Sequence, residues 1–187
     1  MSKRYLVILP LLAALGGCSL PQVVDESMGQ DTLIEGLYAY GAGGRDLKLD
    51  VSGLPFAMPE AAFQEAVERD LGSITSLQPP TYPKLKPGDS ARPGYSLVLA
   101  FQPAADSGGS QNLCGTGPKG TTEITSEIRV YAAFCVSNRA YRFAMGRVPA
   151  NGPDDPAFKS LLTQIGMTLF HSDASLSPGG GGDVGIH

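Results

Sequence analysis

The longest β-rich run of the chain, from about Thr122 to Val148, restricts the possible folds most, because only Ser137-Asn138 interrupts it. Two extended segments with so short a link are expected to form an antiparallel hairpin, although Ser-Asn is a weaker turn signal than Asn-Gly. With those two residues as the turn, Phe134 faces Tyr141, Ala132 faces Phe143 and Val130 faces Met145, giving one strongly apolar sheet face. The opposite face then carries Tyr131, Ala133, Cys135, Ala140, Arg142 and Ala144.

Other extended segments can join this hairpin. The stretch YSLVLAFQ, Tyr95 to Gln102, is apolar at nearly every position and reads as a central strand covered on both faces. In Arg45 to Ser52 the aliphatics Leu47, Leu49 and Val51 alternate with polar residues, as in a half-buried strand. Leu33 to Tyr40 also reads as extended, with GAGG as the turn between the two segments.

Two amphipathic helices complete the pattern. Pro59 opens PEAAFQEAVERDLG, where Ala62, Phe63, Ala66, Val67 and Leu71 recur at helical spacing and Gly72 closes the end. Asp155 as N-cap and Pro156 at the first helical position open the second, with Phe158, Leu161, Leu162, Ile165 and Leu169 as its stripe. Between the first helix and the central strand, residues 77–94 hold five prolines in eighteen positions, which excludes a helix. The order β-β-α-loop-β-β-β-α is an α+β two-layer sandwich: a mostly antiparallel sheet of about five strands with two helices packed on one face.

The N-terminus, MSKRYLVILPLLAALGGCSLP, has the form of a signal peptide: Lys3 and Arg4, an apolar run from Tyr5 to Leu15, then small residues. The run is shorter than the roughly 20 apolar residues a membrane span needs. Leu15-Gly16-Gly17-Cys18 resembles the lipobox of bacterial lipoproteins, whose cysteine is acylated and becomes the first residue after cleavage. The resemblance covers only the leader. It implies lipidation at Cys18, and Ser19 after it is compatible with sorting to a Gram-negative outer membrane. The stretch GRDLKLDVSGLPF is also similar to bacterial lipoproteins, and two-layer domains of this kind recur among periplasmic ones, but neither resemblance confers an activity.

The expected organisation is a signal peptide at 1–17, a lipidated tether at 18–31, one domain at 32–171 and a disordered glycine-rich tail at 172–187. Loss of the leader removes Lys3 and Arg4 and leaves 12 basic against 18 acidic residues, a net charge of −6. Such a chain suits neither nucleic acid nor anionic lipid headgroups by composition, and no basic patch is visible in the sequence.

With Cys18 assigned to lipid, Cys114 and Cys135 are the remaining pair in an exported, hence oxidising, setting, and a disulfide between them is expected. It would pin the glycine loop NLCGTGPKGTT, 112–122, across the sheet face opposite the helices. That loop begins like a phosphate-binding motif at Gly115 and Gly120, but Thr121 stands where the lysine belongs, so no nucleotide is expected. Metal is not expected either: His171 and His187 are the only histidines, without a ligand spacing.

His171-Ser172-Asp173 are contiguous and cannot form a relay. Glu123 and Glu127, about 13 Å apart on a strand, exceed the separation of glycosidic carboxylate pairs. No catalytic residue and no cofactor is assigned. The function expected is a lipid-anchored envelope protein on the periplasmic side of the outer membrane, with a non-catalytic binding or structural role toward other envelope proteins. The alternative is a periplasmic hydrolase or small-ligand binder that uses the sheet face near Arg142, with Tyr131 and with Tyr82 from the proline-rich loop as candidate binding residues.

Overall fold

In the computed structural model, which describes residues 20–26, 31–42, 47–72, 91–104, 108–115 and 119–170, the chain runs as β1 (Gln22–Asp25), α1 (Asp31–Ala42), β2 (Lys48–Ser52), α2 (Glu60–Gly72), β3 (Tyr95–Phe101), β4 (Glu127–Val136), β5 (Arg139–Pro149) and α3 (Pro156–Phe170). A short 3₁₀ turn, Ser110–Asn112, lies between β3 and β4. The strands form one sheet in the order β1-β5-β4-β3-β2, antiparallel except for the parallel pair β2 and β3, which α2 connects. The α+β two-layer architecture with a mostly antiparallel five-stranded sheet is therefore as the pattern of elements implies.

Two elements differ from the sequence reading. Residues 33–40, expected as a strand, lie within α1. Leu37 and Tyr38 pack on the core from one side of the helix, and β-favouring tyrosines do not outweigh that helical packing. Tyr38 packs edge-on to Phe134 at 5.8 Å and against Phe170 at 4.6 Å, so α1 becomes a third helix on the same face. Gln22–Asp25, expected as part of a free tether, instead form the edge strand β1 on β5, so the sheet begins ahead of the expected domain boundary at residue 32.

The helix face holds the main core. Leu47 just ahead of β2 and Leu49 within it, Leu97, Leu99 and Phe101 from β3, and Ile128, Val130, Ala132 and Phe134 from β4 meet Phe63, Val67 and Leu71 of α2. They also meet the α3 stripe Phe158, Leu161, Leu162, Ile165 and Leu169, which is buried as its spacing predicts. Phe63 stacks edge-on to Phe101 at 4.9 Å, and Phe56 to Phe158 at 5.2 Å. Each such fully buried side chain contributes about 1.5–3 kcal/mol. At the start of α3, Asp155 caps as expected: its Oδ1 accepts from Ala157 N at 2.9 Å.

The β4–β5 hairpin does turn at Ser137-Asn138, with Val136 opposite Arg139 and Cys135 opposite Ala140. A β-bulge then inserts Tyr141, and Phe134 pairs with Arg142 rather than with Tyr141. Because side chains alternate with period two, that one extra residue flips the rest of β5 relative to the expected register. Ala132 lies opposite Ala144 and Val130 opposite Gly146, so Arg142, Ala144, Gly146 and Val148 point to the helices, and Phe143 and Met145 to the other face. Gly146 makes this register compatible with α3: a Cβ there would approach Leu161 Cδ1 at 2.7 Å and Ile165 Cδ1 at 3.2 Å.

Candidate functional site

The helix-free face of the sheet is built in two halves. Over the upper half lies segment 108–115, held by a disulfide between Cys114 and Cys135 whose Cα atoms are 5.7 Å apart. Leu113 and Cys114 close a second small core with Ala100, Ala133 and Cys135, against which Val98, Tyr131, Ala140 and Phe143 also pack. Segment 108–115 is thus stapled on the face opposite the helices, as expected from the cysteines, while 116–118 of the glycine loop lie outside the described residues.

The stapled segment is also tied by polar contacts. Ser110, fully buried, donates its hydroxyl to Glu26 Oε2 just beyond β1. Gln111 Nε2 and Asn112 Nδ2 both donate to Gly108 O, at 2.8 and 2.9 Å, which closes the segment on itself. These are structural contacts. Ser110 has a carboxylate beside it, and no imidazole lies among the described residues.

Further along the glycine stretch, Gly120 N donates to Ser52 Oγ at 3.0 Å, and Thr121 N to Phe101 O at 3.0 Å. Leu54 N in turn donates to Thr121 O at 2.9 Å, so 119–122 is threaded between the ends of β2 and β3. A side chain at Gly120 would collide with the carbonyl oxygens of Ser52 and Phe101. The glycine that completes the resemblance to a phosphate loop therefore serves close backbone approach, and its N–H is already spent on Ser52. Next to it, the buried Gln102 at φ 48° donates Nε2 to Thr125 Oγ1 at 2.8 Å and to Glu127 O at 3.0 Å, and accepts from Arg129 N at 3.3 Å.

Among the described residues the lower half of the face is open. Its rows are set by register: Val24, Met145 and Tyr131 in one, Gln22, Arg147 and Arg129 in the next. Arg129 and Arg147 are directly opposed and exposed, and Arg147 Nε donates to Gln22 Oε1 at 2.8 Å. Val24 is 51% exposed.

Of the candidate binding residues, Tyr131 lies on this face, half-buried beside the stapled loop. Arg142 does not. The bulge turns it under α3, where it is 3% exposed and Nη1 donates to Asp25 Oδ2 at 3.2 Å and to Thr168 O at 3.1 Å. Arg142 and Tyr131 are thus on opposite sides of the sheet and cannot share a ligand. Tyr82, Cys18, His171 and His187 lie outside the described residues. Glu123 precedes β4 and Glu127 opens it, so the two do not share a strand.

Among the described residues no three His, Cys, Asp or Glu side chains converge as a metal site requires. No described helix is long and apolar enough to cross a membrane. Elsewhere Arg69 sits beside Asp70, whose hydrogen bond and charge raise the guanidinium pKa above its ordinary value, so this cation does not titrate in any usable range.

Sequence reasoning missed the arginine pair and the Glu26–Ser110 contact. Arg129 and Arg147 are eighteen positions apart and become neighbours only through the bulged register; nothing local marks them. No family model matches the chain, and no curated protein matches it. Among solved structures, the chain is similar to a PelC point-variant dodecamer from Paraburkholderia phytofirmans at 13% identity over 81% of this chain and 97% of that one, with a TM-score of 0.39, a likeness too distant to carry an argument.

Proposed function

We propose that this is a lipid-anchored cell-envelope protein, held by acyl chains on Cys18 at the periplasmic side of the outer membrane, with a non-catalytic binding or structural role. The leader ending in Leu15-Gly16-Gly17-Cys18 carries the reading. The Cys114–Cys135 disulfide is consistent with the export step, since cytosolic thiols are kept reduced. A single acyl chain holds a protein only marginally and two or three hold it essentially permanently, at about 0.8 kcal/mol per buried CH₂. The mature domain stays on the membrane surface.

The role is one of contact rather than turnover. On the helix-free face the polar groups nearest the stapled loop are used in holding it, as Ser110 to Glu26 and Asn112 to Gly108 illustrate. Its partners are other envelope components. Membrane fractionation of Cys18→Ser tests the anchor: the variant is expected in the soluble periplasmic fraction, and unchanged membrane retention would overturn the reading. In-cell photocrosslinking from Tyr40, 61% exposed on α1, tests the role, with a reproducible protein adduct as the expected result.

A further inference from the structure

Building on the lipid-anchor reading, we infer that the open half of the helix-free face, where Arg129, Arg147 and Val24 adjoin, lies directly on an anionic phospholipid surface. The first observation is the length of the link. Because Gln22 is already hydrogen-bonded into the sheet edge, only Ser19, Leu20 and Pro21 separate the anchor residue from the folded sheet. At roughly 3.3 Å per residue the chain from Cys18 to Gln22 reaches at most about 13 Å, against about 40 Å for a free thirteen-residue tether. A domain held so closely cannot hang clear of the bilayer. Some part of its surface next to β1 faces the headgroups.

The second observation is what that surface carries. Gln22, the first strand residue after the anchor, accepts from Arg147, and Arg147 lies opposite Arg129. Directly opposed like charges are destabilising in a sheet, and neither guanidinium meets a carboxylate among the described residues. Glu127, two residues along β4, opens the same face without forming an ion pair with either. Phosphate groups at the membrane surface supply the missing anions, and a guanidinium binds them through paired N–H donors.

The third observation is apolar. Leu20 is 78% exposed and Val24 51% exposed, both within six residues of the anchor. A lipid surface accepts these side chains at the depth where the arginines meet headgroups. The stapled loop lies over Ala100, Ala133 and Cys135 and packs on Tyr131 and Phe143, while among the described residues Val24, Arg129 and Arg147 stay exposed beside it. The mature chain as a whole is acidic, with a net charge of −6 that includes these two arginines, which disfavours adhesion by other faces. Two arginines near an anionic leaflet raise the population in contact by about thirtyfold, and the effect is short-ranged in salt.

The chain contains no tryptophan, so Val24→Trp places a unique reporter on this surface. The acylated full-length product is reconstituted into phosphatidylglycerol vesicles with brominated acyl chains, floated on a density gradient, and its emission recorded. The expected result is co-flotation with a blue-shifted, quenched indole. Adding Arg129→Glu and Arg147→Glu abolishes the quenching without affecting flotation. The neutral pair Arg129→Gln and Arg147→Gln, or 1 M salt on the unaltered arginines, gives a partial loss.

Flotation with an unquenched indole would overturn the contact and leave the anchor standing, whereas failure to float would overturn both. Quenching that survives both glutamate substitutions would also overturn it. So would a blue shift that grows with protein concentration in the absence of vesicles, which would mean that a second copy covers the face.

Discussion

Arg142 and Asp25 meet beneath α3: the guanidinium Nη1 lies 3.2 Å from Asp25 Oδ2, with 4% of the arginine side chain and 32% of the aspartate side chain exposed. The pair fastens the edge strand β1 to β5, and the same nitrogen donates to Thr168 O of α3. Removing the aspartate takes a charged partner away from a buried cation, whereas removing the arginine leaves a carboxylate that still reaches water. Asp25→Ala is therefore expected to cost about 2–3 kcal/mol, discounted from a fully buried pair for the exposure of Asp25. Arg142→Met, which keeps volume without charge, costs less, and the double variant lies near the Arg142→Met value. Urea unfolding of the four proteins measures the cycle, and simple additivity would remove the argument.

The Cys114–Cys135 crosslink closes a loop of twenty intervening residues. In the chain-entropy model that contributes roughly 3 kcal/mol, which for a chain of this size corresponds to about 6–12 °C in Tm. Thermal unfolding with and without reductant is expected to show that difference. Non-reducing peptide mapping is expected to recover one linked peptide, and freely alkylated Cys114 and Cys135 would contradict it.

Gly120 has no room for a methyl group between the carbonyls of Ser52 and Phe101, and backbone atoms cannot swing aside as a side-chain tip can. Gly120→Ala is expected to destabilise by about 2–3 kcal/mol, in the upper part of the range for overpacking. Gly152→Ala, with nothing within 4 Å of the new carbon, stays within about 0.5 kcal/mol. Chemical denaturation midpoints compare the two, and equal effects would show that the close approach at Gly120 is dispensable.

The order of α2, β3, the β4–β5 hairpin and α3 was legible in the sequence because each is specified by its own period: 3.6 for the α3 stripe, two for Leu47, Leu49 and Val51. The disulfide was legible for a different reason, since the leader assigns one cysteine elsewhere and leaves a single pair. The helical character of 31–42 was open to misreading: it mixes β-favouring tyrosines with helical spacing, and packing of Tyr38 on Phe134 and Phe170 goes with the helix.

What the sequence determined by itself is thus local: where most strands and helices lie, where the hairpin turns, and which cysteines join. Tertiary structure decided which way β5 faces. One bulged residue, Tyr141, moved Arg142 from the supposed binding face to a buried ion pair and set Arg147 opposite Arg129. Tertiary structure also placed four residues of a supposed tether, Gln22–Asp25, in the sheet as β1. Both outcomes depend on pairing between segments far apart in the chain. Gln22 and Arg147, for example, are 125 positions apart, and local periodicity carries no information about such contacts.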